Sequence, residues 1–345
     1  MKKTWISILL IFAILCVYPS SAVAAAPDEA LIPEGKLTEA QQSWIGDLEL
    51  FAPYWDRFQT VRLPEQSWFR VYALPGNVYA LFENRQSELV ISYLILGEES
   101  ALLWDTGLGI GDLRACAEAL TTLPITVLNS HDHPDHIGGN AQFDRVMCYD
   151  IDSAVERLTR GYSHEELEGF IVPEEIIEPP ADFPGETFFV AGKAPTATVE
   201  DGQRIDLGNR ELEVIYTPGH NSSSITLLDE QDGLLFTGDT WYPGPLYAFD
   251  DDSSLSVYLD SMRKIENVIR EKNIRWVYGS HDAILPGTEL VFETTAFLEA
   301  VLNGELDYTV ENGLWVYKLN EFTSLCISQE ALSDSPVLEF GQNAA

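Results

Sequence analysis

The sequence predicts an α+β fold in which two β-sheets pack face to face and helices cover their outer sides. Three observations lead there. Short apolar runs bounded by turn residues recur from Trp68 to Asp239 and read as sheet. Stretches of helical length stand among them in both halves of the chain. Two of the runs, ALLWDTG at 101–107 and LLFTGDT at 234–240, also repeat one design, a buried strand that ends on aspartate.

The chain opens on Met1-Lys2-Lys3, runs apolar from Trp5 to Tyr18 with only Ser7 between, and reaches Ala22-Val23-Ala24. This is the pattern of a secretory signal peptide cleaved after Ala24. Its apolar stretch is shorter than the ~20 residues a membrane-spanning helix needs. Export is therefore expected, to the periplasm, the cell surface or the medium, without stable membrane insertion after cleavage. Leu15 is too large to precede a lipidated Cys16. Of the remaining cysteines, Cys116, Cys148 and Cys326 form no C-x-x-C pair, so neither a zinc knuckle nor a disulfide framework is indicated.

Residues 25–66 form an N-terminal extension whose aromatics Trp44, Phe51, Tyr54, Trp55 and Phe58 fall at roughly helical spacing, as if to pack on the main domain. That domain, 67–305, begins with strands in FRVYAL, VYALF, LVISYLIL and ALLWD, the first two joined by the turn Pro75-Gly76-Asn77. Helices are expected at 111–121 and 151–168, with Ser163 and Glu166 spaced as a capping box, and ITVLNS is a buried strand between them. Residues 172–202 are rich in proline and acid and lack periodicity, which predicts a long surface insertion. Strands resume in RELEVIYT, SSITLLDE and LLFTGD. A helix at 254–272, the strand RWVYGS and a helix from Thr288 to Asn303 follow, and 306–345 is a C-terminal segment.

The 345 residues carry 20 lysines and arginines against 55 acids, a net charge of −35. Loss of Lys2 and Lys3 with the leader would take it to −37. Such a surface repels phosphate backbones, so nucleic acid is excluded as a partner and a small-molecule substrate is expected, preferably neutral or cationic.

The stretch His131-Asp132-His133-Pro134-Asp135-His136 carries the chemistry. Extended backbone puts alternate residues on one side, so His131, His133 and Asp135 are expected to converge on one point, with His136 facing a neighbouring one. Imidazole and carboxylate together suit zinc, iron or manganese. His220 in TPGH and His281 after WVYGS project from strand ends, where sites on layered folds gather. Asp239 leaves a buried strand and would be costly there without a partner. Shared between two cations ~3.5–4 Å apart it is satisfied. Asp105, in the similar WDTG setting, reads as a residue that orients ligands. His164 reads as surface, and Asp250-Asp251-Asp252 as a solvated loop rather than a calcium site.

HDHPDH, TPGH, TGD and GSH, in that order and each at a strand end, resemble the ligand signature of the metallo-β-lactamase superfamily, over most of residues 68–285. The resemblance implies an αββα sandwich of two mixed β-sheets flanked by helices. It also implies a first metal on His131, His133 and His220, a second on Asp135, His136 and His281, and Asp239 bridging them. The absence of cysteine between Cys148 and Cys326 favours a glyoxalase-II-like or lactonase-like hydrolase over a zinc β-lactamase.

Two divalent ions, zinc above manganese or iron, would provide a bridging hydroxide that attacks a lactone, ester or thioester carbonyl. Asp135 is then the candidate to handle the proton, and Tyr242, three residues past Asp239, the candidate to donate a hydrogen bond to the oxyanion, as a tyrosine does in similar lactonases. Three alternatives stand beside this: lactam cleavage, a one-iron oxygenase resembling persulfide dioxygenases, and a non-catalytic metal-binding protein. Specificity is expected from loops 172–202 and 241–250.

Overall fold

The computed structural model describes residues 31, 36–63 and 68–333. The expected leader 1–24 and the end of the C-terminal segment lie outside the described residues.

The first sheet is built from β1 (Gln59–Val61), β2 (Arg70–Leu74), β3 (Val78–Phe82), β4 (Ile91–Leu96), β5 (Ala101–Trp104), β6 (Ile125–Leu128) and β7 (Val146–Tyr149). These pair antiparallel from β1 to β5 and parallel from β5 to β7. A two-stranded ribbon of β8 (Gly161–Tyr162) and β9 (Val190–Ala191) stands apart, and β10 (Ala197–Val199) adds to β7 in parallel, completing eight strands. The second sheet holds β11 (Arg204–Asp206), β12 (Glu211–Tyr216), β13 (Ile225–Asp229) and β14 (Leu234–Gly238), with β15 (Pro245–Ala248) in a separate small sheet and β16 (Trp276–Gly279) parallel to β14. Both main sheets are mixed.

Strand periodicity explains the layering. In β5, Leu102 and Trp104 face the second sheet while Ala101 and Leu103 face outward, and both sides are covered. That is why such strands read as continuous apolar runs. Between the sheets, Tyr72, Phe82, Tyr93 and Trp104 meet Leu212, Leu227, Phe236 and Tyr278. Outside the first sheet pack α2 (Leu113–Leu120) and, beyond α3 (Pro134–Ile137), α4 (Asp152–Arg160), through Leu113, Ala117, Ala154 and Leu158. Outside the second pack α5 (Leu255–Glu271) and α6 (Glu289–Leu302), through Leu255, Met262, Val291 and Leu298. The order is helix, sheet, sheet, helix.

The N-terminal helix α1 (Glu39–Trp55) is capped by Thr38 and Gln41 in a reciprocal capping box. Its Leu48, Phe51 and Trp55 enter the inter-sheet core, and Trp55 stacks on Tyr72 and Phe82. The Trp55 indole Nε1 donates to the Asp282 carbonyl at 2.9 Å, which ties this helix to the loop after β16.

Two expectations are corrected. The helix expected at 151–168 ends at Arg160, where Gly161 turns to φ 74° and the chain forms the β8–β9 ribbon. Ser163 and Glu166 do exchange hydrogen bonds, but around a single 3-10 turn, Glu165–Leu167. The insertion 172–202 is not merely a surface loop, because its end supplies β10. The C-terminal segment is also structured: β17 (Thr309–Glu311), β18 (Leu314–Lys318) and β19 (Ser324–Ile327) join β15, followed by the short α7 (Gln329–Ser333). No helix among the described residues is long and apolar enough to cross a membrane.

Candidate metal centre

The strands β5, β6, β14 and β16 end at one edge of the sandwich, and the loops that follow carry the candidate ligands. Two glycines let these loops approach. Gly238, at φ 53°, leaves no room for a Cβ against Ser130, 2.6 Å away, and so brings Asp239 beside the loop after β6. Gly219, at φ 132°, passes over the Tyr258 backbone and sets His220.

All seven candidates come together. His220 Nε2 lies 3.3 Å from His131 Nε2 and 3.1 Å from His133 Nδ1, which makes one cluster. His281 Nε2 lies 3.3 Å from His136 Nε2 and 3.4 Å from Asp135 Oδ2, which makes another. Asp239 stands between them, its Oδ2 3.1 Å from His281 Nε2, 3.6 Å from His220 Nε2 and 3.9 Å from His131 Nε2. One detail of the sequence reading is corrected: Asp135 does not share a point with His131 and His133. Pro134 starts the helical turn α3, so alternation stops after His133 and Asp135 swings to the side of His136.

The donor set fits metal ions. Paired imidazole nitrogens at 3.1–3.3 Å cannot both be satisfied as hydrogen bonds when both are lone pairs. Metal–imidazole bonds of about 2.0–2.1 Å place the ligand atoms of a tetrahedral site about 3.3–3.4 Å apart, which matches. Among the described residues, Asp239 Oδ1 is buried without a hydrogen-bond partner, a costly state that a cation relieves.

The electrostatics differ between the clusters. Burial, aided by neighbouring imidazoles, holds His131 and His220 below the ordinary imidazole range, so both are neutral lone-pair donors. On His133 burial likewise works against charge, but Asp250 pushes it above that range. Burial opposes charge on His281 too, yet the Asp239 and Asp135 carboxylates push it up to about 10. The second cluster calls for positive charge.

Each imidazole is oriented through its other nitrogen. His131 Nδ1 meets Ser130 Oγ at 2.9 Å, His136 Nδ1 meets Asp105 Oδ2 at 2.9 Å, and His220 Nδ1 meets the Tyr247 carbonyl at 2.8 Å. His281 Nδ1 meets the Glu88 carbonyl at 2.6 Å, and His133 Nε2 meets Asp250 Oδ2 at 3.1 Å. Such outer partners fix tautomer and direction. Asp105 takes the orienting place read for it. Asp250 does not lie in a merely solvated loop: its carboxylate faces His133 while staying about half exposed. Nothing in three consecutive aspartates marks which one turns inward, and the backbone carbonyls of Glu88 and Tyr247 leave no sequence trace. His164 is exposed, as read.

Tyr242 is buried with its ring against His281, centroids 4.8 Å apart, and it lines the cavity. Its hydroxyl donates to the Pro245 carbonyl, so in this arrangement its one hydrogen is not available to a substrate. The cavity above the ligands encloses about 1100 Å³.

The sequence profile of the Metallo-beta-lactamase superfamily matches residues 89–272, more than half of the chain. The chain belongs to the metallo-beta-lactamase superfamily. Within it, the acyl-coenzyme A thioesterase MBLAC2 of Bos taurus is 30% identical over 207 residues, 56% of this chain and 71% of that protein. The hydroxyacylglutathione hydrolase of a Synechocystis strain is 28% identical over 134 residues, 37% of this chain and 40% of its own. Among solved structures, an archaeal metallo-beta-lactamase superfamily protein from Sulfolobus tokodaii aligns with a TM-score of 0.46 and 18% identity, over 70% of this chain and 91% of that one. These curated relatives are hydrolases, and the chain is an enzyme of that type, with histidine and aspartate clusters able to hold divalent metal.

Proposed function

We propose that this chain is an exported hydrolase that cleaves a small thioester or ester at a two-metal centre. The observation that carries the reading is the division of seven converging side chains into two sets around Asp239. His131, His133 and His220 would hold one ion; Asp135, His136 and His281 the other, zinc being the first candidate by ligand chemistry. When bound, the ions would polarise a carbonyl oxygen and bring the ionisation of water down to about pH 7. A thioester heads the substrate classes because an acyl-coenzyme A thioesterase is among the relatives. Export rests on the leader pattern at 1–24 alone.

The chain's own groups have three tasks. Ser130, Asp105, Glu88, Tyr247 and Asp250 keep the imidazoles aimed. Asp135 directs Oδ2 at His136 and His281, leaving Oδ1 to take a proton as water adds to the carbonyl and to return it to the departing thiol or alcohol. Burial works against its charge, but the facing imidazoles hold its carboxyl below the ordinary range, so it starts as a base. Tyr242 and Tyr247 wall the acyl side. The complete second set favours hydrolysis over the one-iron alternative.

The test is a panel of thioesters, esters, lactones, β-lactams, phosphodiesters and sulfate esters on zinc- and manganese-loaded protein. Highest catalytic efficiency on thioesters or esters is expected. Turnover confined to phosphodiesters or sulfates, or oxygen uptake with a single iron, would overturn the reading.

A further inference from the structure

The cavity over the ligands has a second chemical character on the wall away from them. Its acids include Glu156, Asp250, Asp251 and Asp252, yet Arg157 and Arg160 also line it, the only arginine or lysine there among the described residues. In a chain with 20 cations to 55 acids, two on one cavity wall need a reason. They lie three residues apart on α4 and so share a face.

Both guanidiniums converge on Glu166. Arg157 Nη1 donates to Oε1 at 3.0 Å, and Arg160 Nη1 and the Ser163 amide donate to Oε2 at 2.7 and 2.9 Å. Glu166 is held down to about 2 by these contacts, the Ser163 amide first among them. The chain thus displays a working oxyanion cradle, occupied by its own carboxylate. Each guanidinium has five N–H donors and gives one to Glu166, and this trio of two cations and one carboxylate carries one net positive charge within an otherwise acidic wall. The side chains remain 27% and 49% exposed, so solvent or a ligand reaches them. Arg157 also lies 4.1 Å over the Tyr162 ring, and the Tyr162 hydroxyl donates to the Asp132 carbonyl at 3.0 Å. That contact fixes the arginine wall relative to the ligand loop.

A structural ion pair is a weak reason for this arrangement, because exposed pairs contribute only about 0–1 kcal/mol. We propose that Arg157 and Arg160 form an anion subsite, which holds a carboxylate or phosphate at the end of the substrate remote from the scissile bond. The proposal rests on the hydrolase reading above. It narrows the expectation of neutral or cationic substrates drawn from net charge. Surface potential is screened over ~8 Å at physiological salt, so a small substrate with one anionic end answers to the two arginines more than to the distant acids. A long polyanion would still have to cross the acidic surface.

The test uses the full chain with a set of thioesters that share an acyl group and end in a neutral amide, a carboxylate or a phosphate. The same tails on non-hydrolysable thioethers are measured by calorimetry. In the Arg157→Gln/Arg160→Gln double variant, KM and Kd for the charged members are expected to rise about tenfold or more relative to the neutral member, with kcat moving less. Glu166→Gln, which removes the tethered competitor, is expected to tighten the charged members. A larger effect on phosphate assigns the subsite to a phosphorylated leaving group, and a larger effect on carboxylate to a dicarboxylic substrate. Should the double variant fail to fold, the two single variants carry the comparison. Charge-dependent, arginine-dependent thioether binding without any thioester turnover would keep the subsite and remove the thioesterase reading. Equal weakening of neutral and charged members would overturn the subsite.

Discussion

Asp105 and Asp239 look alike in sequence, each closing a buried apolar strand beside a glycine and a threonine, and each is buried at the same edge of the sandwich. Their surroundings are opposite. Asp105 faces donors: the Ser130 amide at 2.7 Å, His136 Nδ1 at 2.9 Å and the Ser280 hydroxyl at 3.0 Å. It thereby ties the ends of β5, β6 and β16 together. Asp239 faces ligand nitrogens of His131, His136, His220 and His281, and its Oδ1 has no hydrogen-bond partner among the described residues. Under the proposed two-metal reading, Asp105 keeps neighbours that offer hydrogens, whereas the imidazole nitrogens around Asp239 would offer lone pairs once they hold ions. Burial alone does not separate them.

The comparison is broken most directly at Asp239. Asp239→Asn is expected to release one ion and to lower kcat/KM by more than the roughly 10–100-fold that loss of an outer partner costs, read by elemental analysis and steady-state kinetics. Asp105→Asn is expected to fall within that 10–100-fold range while both ions stay. It should also lower the melting temperature, because one buried donor loses its acceptor at a cost of about 1–3 kcal/mol. If Asp105→Asn loses an ion and Asp239→Asn does not, the two assignments are reversed.

Glu83 sharpens the contrast, being a buried carboxylate outside the metal clusters, with the Asp135 carboxylate as a like charge that adds to its upward shift. It accepts from Trp68 Nε1 at 2.7 Å and from the Leu108 amide at 3.0 Å. Burial pushes it up to about 7 despite those bonds, against an ordinary 4.5. The folded state therefore binds the proton more tightly than the unfolded state does. The stability this contributes is full below about pH 4.5 and is lost as pH rises through about 7, up to roughly 3 kcal/mol. At fixed metal load, Glu83→Gln is expected to flatten the fall in melting temperature across that window. An unchanged slope would place the proton elsewhere.

Smaller effects follow at the rim. Asp250→Ala removes the outer partner of His133 at a half-exposed position, so a loss of metal affinity of about tenfold, at the low end for such partners, is expected in a chelator competition. Tyr242→Phe removes the bond to Pro245 and is expected to cost about 0.5–1.5 kcal/mol of stability in a denaturant titration, with turnover nearly kept. A large loss of turnover would mean that the hydroxyl leaves Pro245 for the substrate.

The layers and the clustering of histidine and aspartate were legible for a shared reason. Strands covered on both faces must be apolar throughout, as in ALLW and LLFTG, and a metal cluster must then appear as histidine and aspartate where those runs stop. Alternation alone puts Asp135 with His131 and His133 because it runs through Pro134 into a helical turn, whereas the family resemblance puts it with His136 and His281, as the structure does. The partner of His133 was missed because three aspartates in a row differ only in which one the tertiary fold turns inward. The arginine wall was hidden in the same way. Arg157 and Arg160 carry no signal of their own in the sequence until α4 is laid against the cavity. β10 and the C-terminal strands draw their stability from pairing with distant segments rather than from a pattern of their own.

The central claim is that seven side chains hold two ions and that Asp239 joins them. Elemental analysis of the purified protein after exhaustive dialysis, done in parallel on the native sequence, Asp239→Asn and Asp105→Asn, tests it most directly. The account predicts two transition-metal ions per chain in the native protein, one in Asp239→Asn and two in Asp105→Asn, with activity lost on chelation and restored by metal. Full activity of a metal-free protein, or two ions retained in Asp239→Asn, would contradict it.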